Sequence, residues 1–179
     1  GEASPFVERA LYMQGWSLFK QGRLEDALQP FFGVLDLKLG GLPANVRDEA
    51  DLASVRQLTR ADRELVDDSF RVMGITLSNL QGAESIARHI TTPAREGYQF
   101  RVYSALGELY IRQERIKDAA DTLALFVRRQ PLHAQAPLLQ ARVVEIYANN
   151  GFATLALAAK KDHVQRYGAE SEFRRANPA

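Results

Sequence analysis

One helical hairpin sets the pattern of apolar and polar positions in this chain. Tyr103, Leu106 and Tyr110 recur at intervals of three and four residues, which places them on one face of a helix. Gly107 lies beside them and carries no side chain, so a second helix can approach this face closely. The polar residues 113–115 follow and predict a short turn between two helices.

The second helix of the hairpin occupies the rest of residues 98–131. Ala119, Leu123 and Phe126 continue the apolar stripe along it. Pro131 ends this helix because proline has no amide hydrogen to donate. A single hairpin cannot bury its apolar face alone, so the pattern predicts further hairpins that stack on this one.

The same frame recurs along the chain. Gly15 and Gly74 stand where Gly107 stands in the first pattern, with apolar residues at the same offsets except for Gln14, which replaces the usual Leu before Gly15. Residues 21–27 also repeat residues 113–119, with Gln, Arg, Asp and Ala in register. The sequence therefore predicts an all-α fold, an α-solenoid of about four stacked helical hairpins.

These hairpins are predicted to form a single domain over residues 1–179, which we interpret as a fragment of a longer chain. Ser4 is the expected N-cap of the first helix of the domain, and Pro5 is expected to be the first helical residue. Pro30 lies inside the second helix and should bend it. The predicted segments are hairpin 1 over 5–37, a long loop over 39–57, an irregular hairpin 2 over 59–92, hairpin 3 over 98–131, hairpin 4 over 134–168 and a polar tail over 169–179, which is a linker or the start of a further element.

The hairpin residues resemble the tetratricopeptide repeat family. Tyr103, Gly107, Ala119 and Pro131 follow the spacing of its 34-residue repeat, with Tyr in place of the usual Trp. The resemblance implies a right-handed solenoid whose first helices line a concave surface that binds a protein or peptide. The ends of hairpins 3 and 4 are similar to repeat ends in tetratricopeptide proteins of the bacterial envelope. This implies a periplasmic or outer-membrane-associated protein, with the cytoplasm as the alternative.

The resemblance also indicates where a partner would bind. Candidate residues lie one turn away from the frame positions, on the first helix of each hairpin. They are Tyr12, Trp16, Phe19, Arg71, Ile75, Glu108, Arg112 and Glu145. The aromatic residues are expected to be exposed and to anchor the partner, while the charged residues set specificity. The alternative is that the aromatic residues mark the place where a preceding repeat packs.

Composition and charge argue against several classes of function. The formal net charge is +1 with 25% charged residues, so no field of one sign predicts binding to nucleic acid. The chain has no cysteine, which excludes disulfides, thiol nucleophiles and zinc held by cysteine. No apolar run approaches the roughly 18 residues of a membrane-spanning helix.

Catalytic and metal-binding motifs are also missing from the pattern. His89, His133 and His163 each stand alone, without the spacing of a zinc site. The first two are expected near helix ends, where they favour the helix dipole or face water. Asp67 and Asp68, with Glu64 one turn before, are expected on a solvated face, and the acidic residues at 48–51 in a solvated turn. We therefore expect no enzyme, no cofactor and no metal.

The sequence thus predicts a non-catalytic scaffold for protein–protein interaction, within a larger bacterial envelope protein. Two alternatives remain open at this stage. The repeats could form a structural spacer or self-association module, or they could regulate an enzyme or secretion complex. The oligomeric state is not predicted.

Overall fold

The computed structural model of the chain describes residues 5–41 and 57–178. Across these ranges the protein contains ten helices and no strand, which confirms the all-α prediction for them. The helices are α1 (Pro5–Lys20), α2 (Leu24–Leu39), α3 (Arg60–Ser78), α4 (Ala83–His89), α5 (Pro93–Glu96), α6 (Gln99–Arg112), α7 (Ile116–Arg129), α8 (Ala136–Asn149), α9 (Ala153–Tyr167) and α10 (Glu172–Ala176). The chain divides into two compact units, Gly1–Leu106 (unit 1) and Gly107–Ala179 (unit 2). Ser4 and the acidic residues at 48–51 lie outside the described residues.

Helix α2 forms the centre of unit 1 and packs against α1, α3 and α5. It is apolar on most sides, and its residues Leu28, Phe31, Phe32 and Leu35 are fully buried. Helix α1 reaches α2 at Gly15, where an added Cβ atom would lie only 2.7–2.9 Å from the Phe31 ring. The missing side chain at this position therefore makes room for the largest side chain of the facing helix.

Proline does not break α2. The helix continues through Pro30 to Leu39, although Pro30 has no amide hydrogen to donate to the preceding turn. The predicted bend at this residue stays a prediction. Beyond the predicted loop, the hydroxyl of Thr59 caps α3 by accepting a hydrogen bond from the Asp62 amide at 3.1 Å.

The second half of unit 1 departs from a regular hairpin. Helix α4 is only seven residues long, and the single-turn helix α5 follows it, capped by the Thr92 hydroxyl. The sequence analysis missed α5, which begins one residue beyond the predicted end of hairpin 2 at 92. Gly74 of α3 faces the α6 backbone, where an added Cβ atom would lie 3.4 Å from the Ala105 carbonyl oxygen.

Unit 2 has more regular packing, in which α7 contacts α8 and α8 contacts α9. A Cβ atom added at Gly107 would lie 3.0 Å from Leu123 Cδ2 and 3.8 Å from the Ala119 carbonyl oxygen. Helix α7 therefore approaches α6 closely at Gly107, as the missing side chain there predicted. In the polar tail, α10 packs its buried Phe173 edge-on against Tyr167, with the ring centroids 5.0 Å apart.

Three hairpin turns, one in unit 1 and two in unit 2, share the same geometry. Their central residues Gly22, Glu114 and Gly151 have φ angles of +75°, +60° and +82°. The amide of the next residue then donates to a carbonyl five residues earlier, which closes the end of the first helix. These bonds join Arg23 to Leu18 (3.0 Å), Arg115 to Tyr110 (2.8 Å) and Phe152 to Tyr147 (3.0 Å).

Candidate protein-binding site

A cluster of four side chains joins α1 to α3 in unit 1. The Tyr12 hydroxyl donates a hydrogen bond to the Asp68 carboxylate. Arg71 also donates to Asp68, from Nε at 2.8 Å and from Nη2 at 2.6 Å. The Arg71 guanidinium lies 5.9 Å from the centre of the Trp16 ring, within the range of a cation–π contact. We call this group, Tyr12, Trp16, Asp68 and Arg71, the Arg71 cluster.

The structure brings three predicted site residues together in this cluster. Tyr12, Trp16 and Arg71 come from two helices that are far apart in sequence. Asp68 was expected on a solvated face. Its carboxylate instead joins the two helices. Burial, followed by the bond to Asp68, raises the pKa of Tyr12, so its hydroxyl remains a neutral donor.

The predicted aromatic residues Tyr12, Trp16 and Phe19 are half-buried rather than exposed, which corrects the prediction. The rings of Tyr12 and Trp16 meet edge-on at 6.4 Å, and those of Trp16 and Phe19 at 5.6 Å. Phe31 lies 6.2 Å from the Tyr12 ring and 6.5 Å from the Trp16 ring. Because Gly15 leaves room for Phe31 between the helices, the Tyr12 and Trp16 rings pack against the Phe31 side chain. The Arg71 cluster therefore packs against the buried core of unit 1 through Phe31.

An open cleft of about 630 Å³ lies between α1 and α3, next to the Arg71 cluster. Its lining includes the apolar side chains of Met13 and Leu65 and the ring of Tyr12. Met13 is 61% exposed and so is available to a partner. The charged residues of the lining are mostly acidic: they are Glu8, Asp62, Glu64 and Asp68, with the single cation Arg9.

A half-buried lysine joins two carboxylates of the cleft lining. Lys38 Nζ of α2 lies 2.7 Å from Glu8 Oε2 of α1 and 2.9 Å from Asp62 Oδ1 of α3. Burial alone would lower the pKa of Lys38, but hydrogen bonds to the two carboxylates outweigh burial and raise it. The bond from Lys38 in turn lowers the pKa of Asp62. This Lys38 triad ties three helices together, and no local sequence pattern indicated it.

A second polar network in unit 1 connects α2 to α5 and to the end of α4. The Asp36 carboxylate accepts hydrogen bonds from Arg95 Nη2 at 2.9 Å and from the Tyr98 hydroxyl at 2.6 Å. Arg95 also donates to the His89 carbonyl oxygen at 2.8 Å. Burial, followed by the bond to Asp36, raises the pKa of Tyr98 far above its ordinary value. This network is away from the cleft, and we assign it a structural role.

Two histidines are buried, which corrects the expectation that they face water. His89 ends α4 as predicted, but its ring stacks on Phe32 at 5.2 Å and its Nε2 lies 3.0 Å from Glu25 Oε1. The ring at the end of the short helix α4 therefore lies against α2. His133 precedes α8, and its Nδ1 accepts a hydrogen bond from the Gln135 amide at 3.0 Å. His163 is half-buried, edge-on to Tyr167 at 5.4 Å.

In unit 2, one arginine joins two of the predicted site residues. Arg142 Nε lies 3.2 Å from Glu108 Oε1, and Arg142 Nη1 lies 2.8 Å from Glu145 Oε2. The hydrogen bond to Glu145, then the bond to Glu108, raises the pKa of Arg142. The sequence analysis missed Arg142. Of the other candidates, Arg112 of α6 is exposed, while Ile75 of α3 in unit 1 is half-buried.

Two ion pairs join residues whose separation in sequence equals the period of the predicted repeat. In unit 1, Arg101 Nη2 lies 3.1 Å from Asp67 Oδ1, and the two residues are 34 positions apart. In unit 2, Glu108 and Arg142 are also 34 positions apart. Opposite charges one period apart on successive first helices were therefore a usable signal in the sequence. Asp67 remains largely exposed, as expected, although it carries this partner.

Comparison with family models, with curated proteins and with solved structures found no match to this chain. The resemblance to tetratricopeptide repeats therefore depends on the residues described above. Among the helices that the structure describes, none is long and apolar enough to cross a membrane. Within residues 5–41 and 57–178, no group of three or more His, Asp or Glu side chains is placed to hold a metal ion.

Proposed function

We propose that the protein is a non-catalytic scaffold of the tetratricopeptide type, a right-handed α-solenoid that binds a protein or peptide through its first helices. Three features support the proposal. The frame glycines lie at close helix contacts, the hairpin turns share one geometry, and ion pairs recur at a spacing of 34 residues. On the same resemblance, we propose a periplasmic or outer-membrane-associated location.

The observation that carries the proposal is the cleft of unit 1 with the Arg71 cluster at its edge. Aromatic and arginine side chains are the commonest hot spots of protein interfaces, and here Trp16 and Arg71 stand in contact. Their positions are fixed before a partner arrives, because Asp68 holds Arg71 and Phe31 supports Trp16. A partner would therefore lose little free energy in ordering them. Met13 adds an exposed apolar contact beside them.

In unit 2, we propose that Glu108, Arg112 and Glu145 contribute polar contacts. Arg142 holds both carboxylates in place, so their orientation is defined without a partner. Ion pairs at the surface contribute little stability by themselves, so these residues would act mainly on specificity.

The experiment is a selection of random peptides displayed on phage, followed by affinity measurements with labelled peptides. We expect the charge reversal Arg71→Glu to weaken binding of the selected peptides at least about tenfold, a loss of about 1.4 kcal/mol. Lys117→Glu is the matched control, since it is also a reversal of an exposed cation but lies on α7. Circular dichroism would verify that both variants fold.

The proposal fails if no peptide is enriched, or if Arg71→Glu and Lys117→Glu bind the enriched peptides as well as the unaltered chain does. A selective loss in Lys117→Glu would also contradict it, because binding would then depend on a second helix.

A further inference from the structure

Helix α10 docks on unit 2 through one aromatic ring and one polar side chain. Phe173 is its buried residue, and the Phe173 ring meets the Tyr167 ring edge-on with the centroids 5.0 Å apart. Asn177 follows the helix and donates a hydrogen bond from Nδ2 to the Leu132 carbonyl oxygen at 2.9 Å. The other side chains of this five-residue helix are exposed. Little apolar surface therefore holds α10 in place.

The Tyr167 side chain, on which α10 packs, contains a buried hydroxyl group. Tyr167 is the last residue of α9 and is only 5% exposed. Its hydroxyl oxygen has no hydrogen-bond partner among the described residues. Burial raises the pKa of Tyr167 to about 12, so the hydroxyl is protonated at neutral pH. A hydroxyl that is removed from water without a partner destabilises the state in which it is buried.

The docking of α10 therefore has a favourable and an unfavourable part at the same side chain. Contact with Phe173 removes apolar surface of the Tyr167 ring from water, but the same contact helps to keep water from the hydroxyl. A helix of five residues is too short to be stable alone, so α10 is ordered only while it is docked. Undocking restores hydrogen bonds between the hydroxyl and water, which offsets part of the lost packing. The docked and undocked states consequently differ by a small free energy.

We propose that α10, together with Asn177, is a strap that opens and closes over the end of α9 while the other helices of unit 2 remain folded, and that the buried Tyr167 hydroxyl favours its opening. Ala169 and Glu170 in the connection to α9 are exposed, so the connection can change conformation without disturbing the core. Opening uncovers the rings of Tyr167 and His163, whose centroids are 5.4 Å apart. The strap therefore controls access to an aromatic surface at the end of α9. The inference goes beyond the proposed binding function and does not depend on it, because the strap belongs to unit 2 and the cleft to unit 1.

Hydrogen exchange of the full chain, followed by NMR at single amides, tests the strap. The Arg175 and Asn177 amides report on it, because they donate to the Ser171 and Phe173 carbonyl oxygens. We expect both amides to exchange at least about a hundredfold faster than amides in the middle of α9, since α10 opens without global unfolding.

Tyr167→Phe is the decisive variant, because it removes the hydroxyl and keeps the ring against Phe173. We expect it to slow the exchange of the two strap amides by about tenfold, which corresponds to about 1.4 kcal/mol. Tyr147→Phe is the matched control. It makes the same substitution at a half-buried ring of α8 in the same unit, and it should leave strap exchange unchanged.

Two further variants should have the opposite effect. Phe173→Ala removes the ring that docks α10, so the strap amides should exchange at about the rate of an unstructured peptide. Asn177→Ala removes one hydrogen bond and should speed the exchange of the Arg175 amide by about threefold. Trypsin cleavage after Arg174 and Arg175, which needs an open strap, should follow the same order across the variants.

Three results would overturn the inference. Strap amides that exchange as slowly as those of α9 would show that α10 opens only when the unit unfolds. Unchanged or faster exchange in Tyr167→Phe would show that the hydroxyl has a stabilising partner. Equal slowing in Tyr147→Phe would show that the effect is not specific to the hydroxyl on which α10 packs.

Discussion

The contacts within unit 1 differ in kind from the contacts within unit 2. In unit 1, charged side chains join helices that are distant in sequence: Tyr98 and Asp36 are 62 positions apart, and His89 and Glu25 are 64 apart. In unit 2, close packing at Gly107 and the ion pair between Glu108 and Arg142 follow the spacing of the repeat. The polar contacts named for unit 1 therefore span longer stretches of the sequence than this ion pair does.

The difference follows from the length of the elements. Helix α4 is half as long as α7, so it offers less apolar surface to its neighbours. Asp36, Arg95 and Tyr98 supply a specific connection at the end of that short helix. The irregular repeat is thus stabilised by a hydrogen-bonded network of charged and polar side chains in addition to apolar packing.

The largest expected effect is at the polar network of unit 1. Asp36→Ala leaves Arg95 and the Tyr98 hydroxyl without their shared acceptor, and we expect it to lower the free energy of unfolding by about 3 kcal/mol. Urea denaturation would measure the loss, and hydrogen exchange would locate it in unit 1. Asp118→Ala is the control in unit 2, because its carboxylate pairs only with exposed Arg115 and should cost less than about 1 kcal/mol. Equal losses in the two variants would contradict the difference between the units.

A smaller effect is expected at the frame glycines. Replacing a helical glycine with alanine gains about 1 kcal/mol of helix propensity. Gly15→Ala would nevertheless be destabilising by about 1–2 kcal/mol, since the new Cβ atom meets the buried Phe31 ring. Gly107→Ala meets only the end of the Leu123 side chain, which can move, and should change stability by less than about 1 kcal/mol. Thermal unfolding of the two variants would check the order, and a reversed order would refute it.

The smallest expected effect is at the shared turn. Glu114 has a φ of +60°, where glycine is less strained, so Glu114→Gly should stabilise unit 2 by about 0.5–1 kcal/mol. Gly151→Ala should cost about 1 kcal/mol for the same reason, and nothing lies within 4 Å that would add a steric cost. Urea denaturation would measure both changes. A loss of stability in Glu114→Gly would show that its side chain has another role.

The sequence predicted the local elements well, because helix periodicity and capping depend on neighbouring residues. Helix α1 begins at Pro5 as expected, and α9 lies within the predicted hairpin 4 over 134–168. The polar contacts of the site were missed, since a pattern along one helix does not reveal which side chain of another helix it meets. Asp68 was expected on a solvated face and no pattern indicated a role for Lys38, although each connects helices in the structure.

The helix α5 and the burial of His89 were missed for a related reason. Both depend on how far the short α4 extends, and helix ends are the least certain part of a pattern. The predicted binding residues stay predictions as a set. The structure brings Tyr12, Trp16 and Arg71 into one cluster, and it connects Glu108 to Glu145 through Arg142.

The Lys38 triad has a consequence for how this chain can vary. One ammonium group serves two carboxylates from different helices, so losing Lys38 leaves the like charges of Glu8 and Asp62 close together in a partly buried site. Losing either acid alone leaves the ammonium with a single counterion. Positions 8, 38 and 62 should therefore co-vary among natural variants rather than change independently.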